Sequence, residues 1–379
     1  MSGLEAIWWR ERPGPLGALA GAPLLLAEAP FRAAAALRGA LYDRGVLPAV
    51  RAGAPVVSIG NLAVGGAGKT PAALAVAARL AGRGRRVAIL SRGYGAARAD
   101  ARVASDGAGA LLPAAEAGDE PALLARRLPG VAVLCGPRRA ELARTAVEAL
   151  GADALVLDDG FQHRALARDL DVVVLDASNP FGNGHLLPRG PNREPRTALR
   201  RAGLVWLSHA DRAAPERLEA LRALARDATG RAPVESRHAA TALLDGALRE
   251  AGSLEALRGR RVAALSGLAR PAGFLRTLEA LGAEVALARA FPDHHRFTAG
   301  ELEAVLRDGD AAGCAWVVTT EKDAVRLDPA LAAGAAGRLR VVRVDAELLR
   351  GADVLEAALD AALAAAAPQP RPAPRAPVS

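Results

Sequence analysis

Residues Val56 to Leu80 read VVSIGNLAVGGAGKTPAALAVAARL, and this stretch decides the fold. It begins with a short apolar run, continues through a glycine-rich turn to Lys69 and Thr70, and ends in an alanine- and leucine-rich segment. That order predicts a β-strand, a phosphate-binding loop and an α-helix. In such a Walker A loop the glycines let backbone N–H groups converge on phosphate oxygens. The lysine binds the terminal phosphates, and the hydroxyl group binds Mg²⁺.

The predicted nucleotide-binding residues form one continuous run. They are Ala63, Val64, Gly65, Gly66, Ala67, Gly68, Lys69 and Thr70. The strict Walker pattern has glycine where this chain has Ala63, so a plain glycine-rich turn is the alternative. Lysine usage favours the phosphate loop, because only Lys69 and Lys322 among 49 basic residues are lysine and a compact ammonium suits this position.

Composition limits the class of protein. The 379 residues are enough for about two domains, and 51% hydrophobic residues can build a core. A net charge of +8 favours anionic partners, but the basic residues are dispersed and lack interleaved aromatics, so no nucleic acid is expected. Cys135 and Cys314 are isolated, which argues against a disulfide framework or a zinc site.

Alternating strands and helices predict an α/β fold, P-loop NTPase-like, with a doubly wound and mostly parallel sheet. We predict an N-terminal helical segment at 1–53, a P-loop core at 54–232, a second, smaller α/β domain at 233–365 and a Pro-rich disordered tail at 366–379.

The N-terminal segment combines Trp8 and Trp9 with an uncharged stretch from Pro13 to Ala27. This stretch is too short to cross a bilayer, which takes about 20 residues. It suits a helix lying in the membrane interface, or else an ordinary helix packed on the core. Pro23 and Pro30 predict that the region breaks into short helical pieces.

Two pairs of acids are candidate site residues. Asp158 and Asp159 follow an apolar run, and acids at a strand tip beside a phosphate loop are typical of an Mg²⁺ site. Asp119 and Glu120 open a helical pattern, where acids also occur simply because the helix dipole favours them.

Three later stretches carry further candidates. Arg92 to Gly95 (RGYG) follows a predicted strand, where ligand contacts are common. The long loop from Phe181 to Pro195 contains Arg189 and Arg193. The adjacent His294 and His295 could be a surface pair, part of a metal site or a proton-transfer group beside a carboxylate.

Taken together, the motifs GNLAVGGAGKTP, SRGYG, GDEP, DDGFQHRALARDLD, GNGHLLPRGPNREP, GLARP, FPDHHRF and TTEKDAVRL resemble those of the tetraacyldisaccharide 4′-kinases of lipid A biosynthesis. The resemblance runs in order from about Trp8 to Leu363. It implies a kinase that transfers the γ-phosphate of ATP to the 4′-hydroxyl of a tetraacyldisaccharide 1-phosphate and forms lipid IVA. It also implies peripheral association with the cytoplasmic face of the bacterial inner membrane, with no obligate protein partner evident.

The resemblance also implies roles for the candidates. Asp119 would be the catalytic base, with His294 rather than His295 as its partner, and Lys69 would neutralise the phosphates. The Mg²⁺ ligands would come from Thr70, Asp158, Asp159 and Glu120. Arg189 and Arg193 would bind the substrate's 1-phosphate.

Two other classes of protein remain as alternatives. A nucleotide-gated switch GTPase would carry a guanine-reading NKxD motif, whereas the nearest run here is Thr320 to Asp323 (TEKD) without the preceding Asn. A membrane-docked scaffold that merely binds nucleotide would need neither the acid pairs nor the histidines.

Overall fold

The structure is a computed structural model of the chain, which describes residues 8–9, 15–93, 102–109, 111–335 and 337–365. Two expectations lie outside these ranges: Tyr94 and Gly95 of the predicted strand-end loop, and the tail at 366–379.

The described residues form one mixed sheet of 12 strands with helices around it. The strands are β1 Val56–Gly60, β2 Val87–Ser91, β3 Arg102–Ser105, β4 Ala132–Cys135, β5 Ala154–Asp158, β6 Leu170–Asp176, β7 Leu204–Ser208, β8 Val234–Asp245, β9 Arg261–Ser266, β10 Glu284–Ala290, β11 Trp316–Thr320 and β12 Leu339–Arg350. Their order across the sheet is β10-β9-β11-β12-β8-β7-β6-β1-β5-β2-β4-β3. The expectation of an α/β fold with a mostly parallel sheet is therefore confirmed.

The helices connect these strands. They are α1 Pro15–Asp43, α2 Lys69–Gly82, α3 Ala114–Ala117, α4 Asp119–Arg127, α5 Arg139–Glu148, α6 Pro215–Thr229, α7 Pro271–Ala280, α8 Ala299–Ala311, α9 Glu321–Ala324, α10 Pro329–Gly334 and α11 Ala352–Ala365.

Strand β1 lies in the interior of the N-terminal half of the sheet, which we define as the strands within residues 56–208. It pairs in parallel with β5 on one side and β6 on the other, and Ile59 lies opposite Asp158. Because the carboxyl ends of parallel strands meet at one edge, this register brings the acids after β5 beside the loop that leaves β1.

The C-terminal half, residues 234–350, continues the same sheet instead of forming a separate one. Strand β8 pairs in parallel with β7 and runs antiparallel to β12 over most of its length. Both β8 and β12 are 12 residues long, so this pair is the bridge between the two halves.

Helix α11 returns from β12 to the N-terminal half. Its buried Leu355 and Leu359 belong to the same core cluster as α2 and β1, and Arg79 of α2 pairs with Glu356 at 3.0 Å. The connection begins at Gly351, whose φ is +76° and where an added Cβ would lie 2.7 Å from the Pro233 carbonyl oxygen. The two chain connections between the halves are therefore in contact.

Helix α1 is continuous over 29 residues, so the prediction that Pro23 and Pro30 break it into pieces was wrong. A proline removes only one helical hydrogen bond, and neighbouring turns can continue past it. Within the described residues, no helix is long and apolar enough to cross a membrane.

Gly68 ends the loop between β1 and α2 and caps the helix with a φ of +84°. An added Cβ there would lie 2.9 Å from His238 Nε2 on β8 and 3.2 Å from Ser208 Cβ. Both the backbone conformation and the close approach therefore require glycine.

We expect Gly68→Ala to lower the free energy of unfolding by about 1–3 kcal/mol, because alanine is strained at positive φ. Gly66→Ala is the matched control, since Gly66 lies two residues away and its added Cβ would meet nothing within 4 Å. Urea unfolding of both variants without nucleotide checks this. Equal destabilisation by the two changes would contradict the argument.

Candidate active site

The glycine-rich loop is hydrogen-bonded to the long loop 181–195. The Val64 N–H donates to the Pro191 carbonyl at 2.8 Å, and the Arg193 N–H donates to the Leu62 carbonyl at 2.7 Å. Ala63 and Asn192 form an isolated β-bridge. The Gly/Pro/Asn-rich segment is thus a structural partner of the glycine-rich loop.

Two N-terminal tryptophans also lie at this loop. The Trp8 Nε1–H donates to the Pro188 carbonyl at 2.8 Å. The Trp9 ring approaches Gly65, and the Arg270 guanidinium of the C-terminal half stacks over it at 4.0 Å from the ring centroid. The aromatic residues that suggested a membrane interface therefore contact the candidate site.

Lys69, the first residue of α2, faces Asp159. Its Nζ lies 3.5 Å from Asp159 Oδ1, and Arg193 Nη1 lies 2.9 Å from Asp159 Oδ2. Burial raises the pKa of Asp159, but the two cations outweigh it and hold the pKa below its usual range. The Asp159 carboxylate is therefore ionised, and the Lys69 ammonium lies beside it.

Asp158 has the opposite environment. It is 1% exposed, and burial together with the nearby Glu120 and Asp159 carboxylates raises its pKa to about 7. Its Oδ2 accepts a hydrogen bond from the Ser91 hydroxyl at 3.4 Å. Buried Arg139 also faces these acids, and desolvation lowers the pKa of its guanidinium to about 10.

This acid cluster suits a divalent cation. Among the described residues, no three His, Cys, Asp or Glu side chains are arranged to hold a metal by themselves. Mg²⁺, however, takes only one or two carboxylates and completes its shell with phosphates and water. Glu120 and Asp159 raise the pKa of Asp158 despite the nearby Lys69 and Arg139, and Thr70 follows Lys69 on α2, so the residues fit Mg²⁺ bound together with a nucleotide.

Asp119 is the first residue of α4 and is 5% exposed. Its Oδ2 lies 2.9 Å from His294 Nδ1 and accepts a hydrogen bond from Arg326 Nε at 2.6 Å. Burial raises the pKa of Asp119, but the His294 hydrogen bond and the Arg326 charge outweigh it and lower the pKa. Asp119 is therefore an ionised acceptor inside the protein.

The structure separates the two adjacent histidines. His294, at a φ of +60°, contacts Asp119. His295 instead lies 3.0 Å from Glu301 and stacks on Phe291, with ring centroids 4.7 Å apart. The geometry thus places His294, and not His295, beside the candidate base.

The two loop arginines have different surroundings. Arg193 pairs with Asp159 at the glycine-rich loop. Arg189 Nη1 lies 3.7 Å from Glu28 Oε2 of α1 and 3.4 Å from His185 Nδ1. The sequence placed both in one role, whereas the structure puts them at separate places along the loop.

Sequence reasoning missed Arg326 and the contacts behind the glycine-rich loop. The Ser208 hydroxyl donates to the Ala67 carbonyl at 2.7 Å, and buried His238 Nε2 points at Gly68. Desolvation lowers the pKa of His238 to about 3, so the ring is neutral. A polar residue at the end of an apolar run, such as Ser208 after LVWL, was the sequence signal that could have pointed to these contacts.

The chain is similar to several known proteins. A family model described as tetraacyldisaccharide-1-P 4′-kinase matches residues 20–364. A tetraacyldisaccharide 4′-kinase of Anaeromyxobacter sp. (strain K) is 98% identical over 379 residues, covering 100% of both chains. One from Geobacter sulfurreducens is 39% identical over 372 residues, covering 94% of this chain and 99% of its own.

A solved structure agrees. LpxK from Aquifex aeolicus, crystallised in complex with ATP, is 30% identical with a TM-score of 0.73, covering 90% of this chain and 99% of its own. The family model spans most of the chain and the relatives match it nearly end to end. The chain therefore belongs to the tetraacyldisaccharide-1-P 4′-kinase family.

Proposed function

We propose that this protein transfers the γ-phosphate of ATP to the 4′-hydroxyl of tetraacyldisaccharide 1-phosphate and so forms lipid IVA. One observation carries the proposal: Glu120, which directly follows the buried and ionised Asp119, lies close enough to Asp158 beside the glycine-rich loop to raise the pKa of Asp158. A nucleotide switch or scaffold has no need of this second acid pair. Family membership and the ATP complex of the Aquifex aeolicus protein support the same reaction.

The donor side of the site would bind ATP on a P-loop. Residues 63–70 would wrap the phosphates, and Lys69 would leave Asp159 to neutralise the β- and γ-phosphates. Mg²⁺ would be held by Thr70 with Asp158 or Asp159, and Glu120 would assist. When bound, it neutralises the charge on the phosphates, and the raised pKa of Asp158 fits a carboxyl that exchanges its proton for this cation.

On the acceptor side, Asp119 accepts the proton of the 4′-hydroxyl as that oxygen attacks the γ-phosphorus. The bond from the γ-phosphorus to the β,γ-bridging oxygen breaks, and ADP leaves with the bonding electrons. His294 holds the Asp119 carboxylate in place and stabilises its negative charge. Positioning and charge neutralisation supply most of the rate enhancement in such reactions.

The acidic substrate would be bound by the basic loop 181–195. Arg189 lies beside α1 and would face the 1-phosphate. Arg193 would bind the 1-phosphate only after its ion pair with Asp159 breaks. The binding of phosphates to Lys69, together with Mg²⁺, would favour that break.

Helix α1 would lie against the cytoplasmic face of the inner membrane. Its Leu25, Leu26 and Leu37 are 52%, 81% and 61% exposed, and Arg32 and Arg38 flank them. Exposed leucines with neighbouring arginines suit an anionic lipid surface. We also keep the division into residues 1–53, 54–232 and 233–365 as functional units, except that α11 packs on the core of the N-terminal half and belongs with it.

The direct test is incubation of the protein with labelled ATP, Mg²⁺ and tetraacyldisaccharide 1-phosphate. We expect one labelled lipid product whose phosphate is on the 4′-oxygen. Chelation of Mg²⁺ with EDTA should abolish the transfer, because phosphoryl transfer from ATP needs a cation on the phosphates. Release of the label only as inorganic phosphate, or no labelled lipid at all, would reject the proposal.

We expect Asp119→Asn to lower kcat by roughly 10²–10⁴-fold, the usual contribution of a general base. The KM for ATP should change little, since the carboxylate serves the acceptor. Glu116→Gln, an exposed acid three residues earlier, is the matched control. Turnover of Asp119→Asn equal to that of the control would remove the base from the mechanism.

Replacing Leu25, Leu26 and Leu37 together by serine should reduce binding to phosphatidylglycerol vesicles by about tenfold or more, because three exposed leucines lose their apolar contact. Leu111→Ser with Leu349→Ser is the control, since these residues are 46% and 42% exposed elsewhere on the surface. Co-sedimentation measures both. Equal binding by the two variants would contradict membrane contact through α1.

A further inference from the structure

Arg326 is the basic group closest to the candidate base, and the proposed mechanism leaves it without a role. Its side chain is 0% exposed and lies just after α9, in the C-terminal half. The Nε atom donates to Asp119 Oδ2 at 2.6 Å, across the contact between the two halves. It is thus a second donor, besides His294, on the same carboxylate.

The rest of the guanidinium is fixed by its own surroundings. Nη1 donates to the Gly267 carbonyl at 2.9 Å and to Asp323 Oδ1 at 3.1 Å. Asp323 in turn accepts from the Thr320 hydroxyl at 2.8 Å and from the Gly267 N–H at 3.0 Å. Because a guanidinium is planar, fixing Nη1 also fixes the direction in which Nε–H points.

His294 and Arg326 both approach Oδ2 of Asp119. Two directional contacts on one oxygen fix the plane of the carboxyl group and occupy Oδ2. We propose that Arg326 is a positioning residue for phosphoryl transfer, which orients the Asp119 carboxylate so that Oδ1 accepts the proton of the 4′-hydroxyl. This inference rests on the proposed function, because it assigns Asp119 as the base.

A purely structural ion pair explains the contacts less well. The Nη2 atom of Arg326 is buried and has no hydrogen-bond partner among the described residues. Buried donors are normally satisfied, so this guanidinium is held by its Nε and Nη1 contacts at the expense of Nη2. The observed orientation of the guanidinium brings Nε onto Asp119.

The test is a double-mutant cycle between Arg326 and Asp119, measured with ATP and the tetraacyldisaccharide 1-phosphate. We expect Arg326→Gln to lower kcat by about 100-fold, the cost of a base displaced by around 1 Å, with little change in the KM for ATP. In the Asp119→Asn background the same change should have no further effect, because no base remains to be positioned.

Arg343→Gln is the matched control. Its Nε pairs with Glu321 at 3.1 Å in the same half of the protein. This change should leave kcat within about twofold. Arg326→Lys keeps the positive charge and covers the case in which Arg326→Gln does not fold. We expect Arg326→Lys to lower kcat by about tenfold, because an ammonium does not reproduce the planar, forked guanidinium.

The outcomes separate the two proposals. Additive losses from Arg326 and Asp119 changes, or full kcat in Arg326→Lys, would overturn the positioning role while leaving the kinase intact. Full activity of Asp119→Asn would overturn the base and the positioning role together. Absence of labelled lipid from the unmodified protein would reject the kinase itself.

Discussion

The buried ion pair between Asp119 and Arg326 joins elements that are 207 residues apart in sequence. Removing either side chain would leave the other buried charge without this partner, which costs several kcal/mol. Helix α4 is also fixed at its other end, where Arg127 lies 2.8 Å from Glu321 of α9. The position of α4, and with it the relation of Glu120 to the glycine-rich loop, therefore depends on the C-terminal half.

The same electrostatic logic separates two neighbouring acids. Asp159 is turned towards Lys69 and Arg193, which keep it ionised, whereas Asp158 points into the sheet edge where burial favours its neutral form. Adjacent carboxyl groups with divergent pKa values are a common arrangement at sites that exchange protons and cations. Before any phosphate binds, this end of the sheet therefore holds the ionised Asp159 beside Asp158, whose pKa is raised.

The sequence was sufficient for the local parts of the site. Glycine spacing indicated the loop, and apolar runs indicated strands whose tips carry Asp158 and Ser208. The motif TTEKDAVRL contains Arg326, but the sequence could not indicate its role, because its partner Asp119 is set by tertiary contact. Nor could it indicate that β8 joins β7, since the pairing of distant strands leaves no periodic signal.

The contact between Gly351 and Pro233 has a mechanical consequence. The chain crosses from one half to the other before β8 and returns after β12, and these crossings touch at this point. Because the two crossings approach so closely, any side chain at position 351 would push them apart. Since the halves also share the pairing of β7 with β8 and the ion pair between Arg326 and Asp119, a single cut at either crossing would leave them attached through the other crossing and through these contacts.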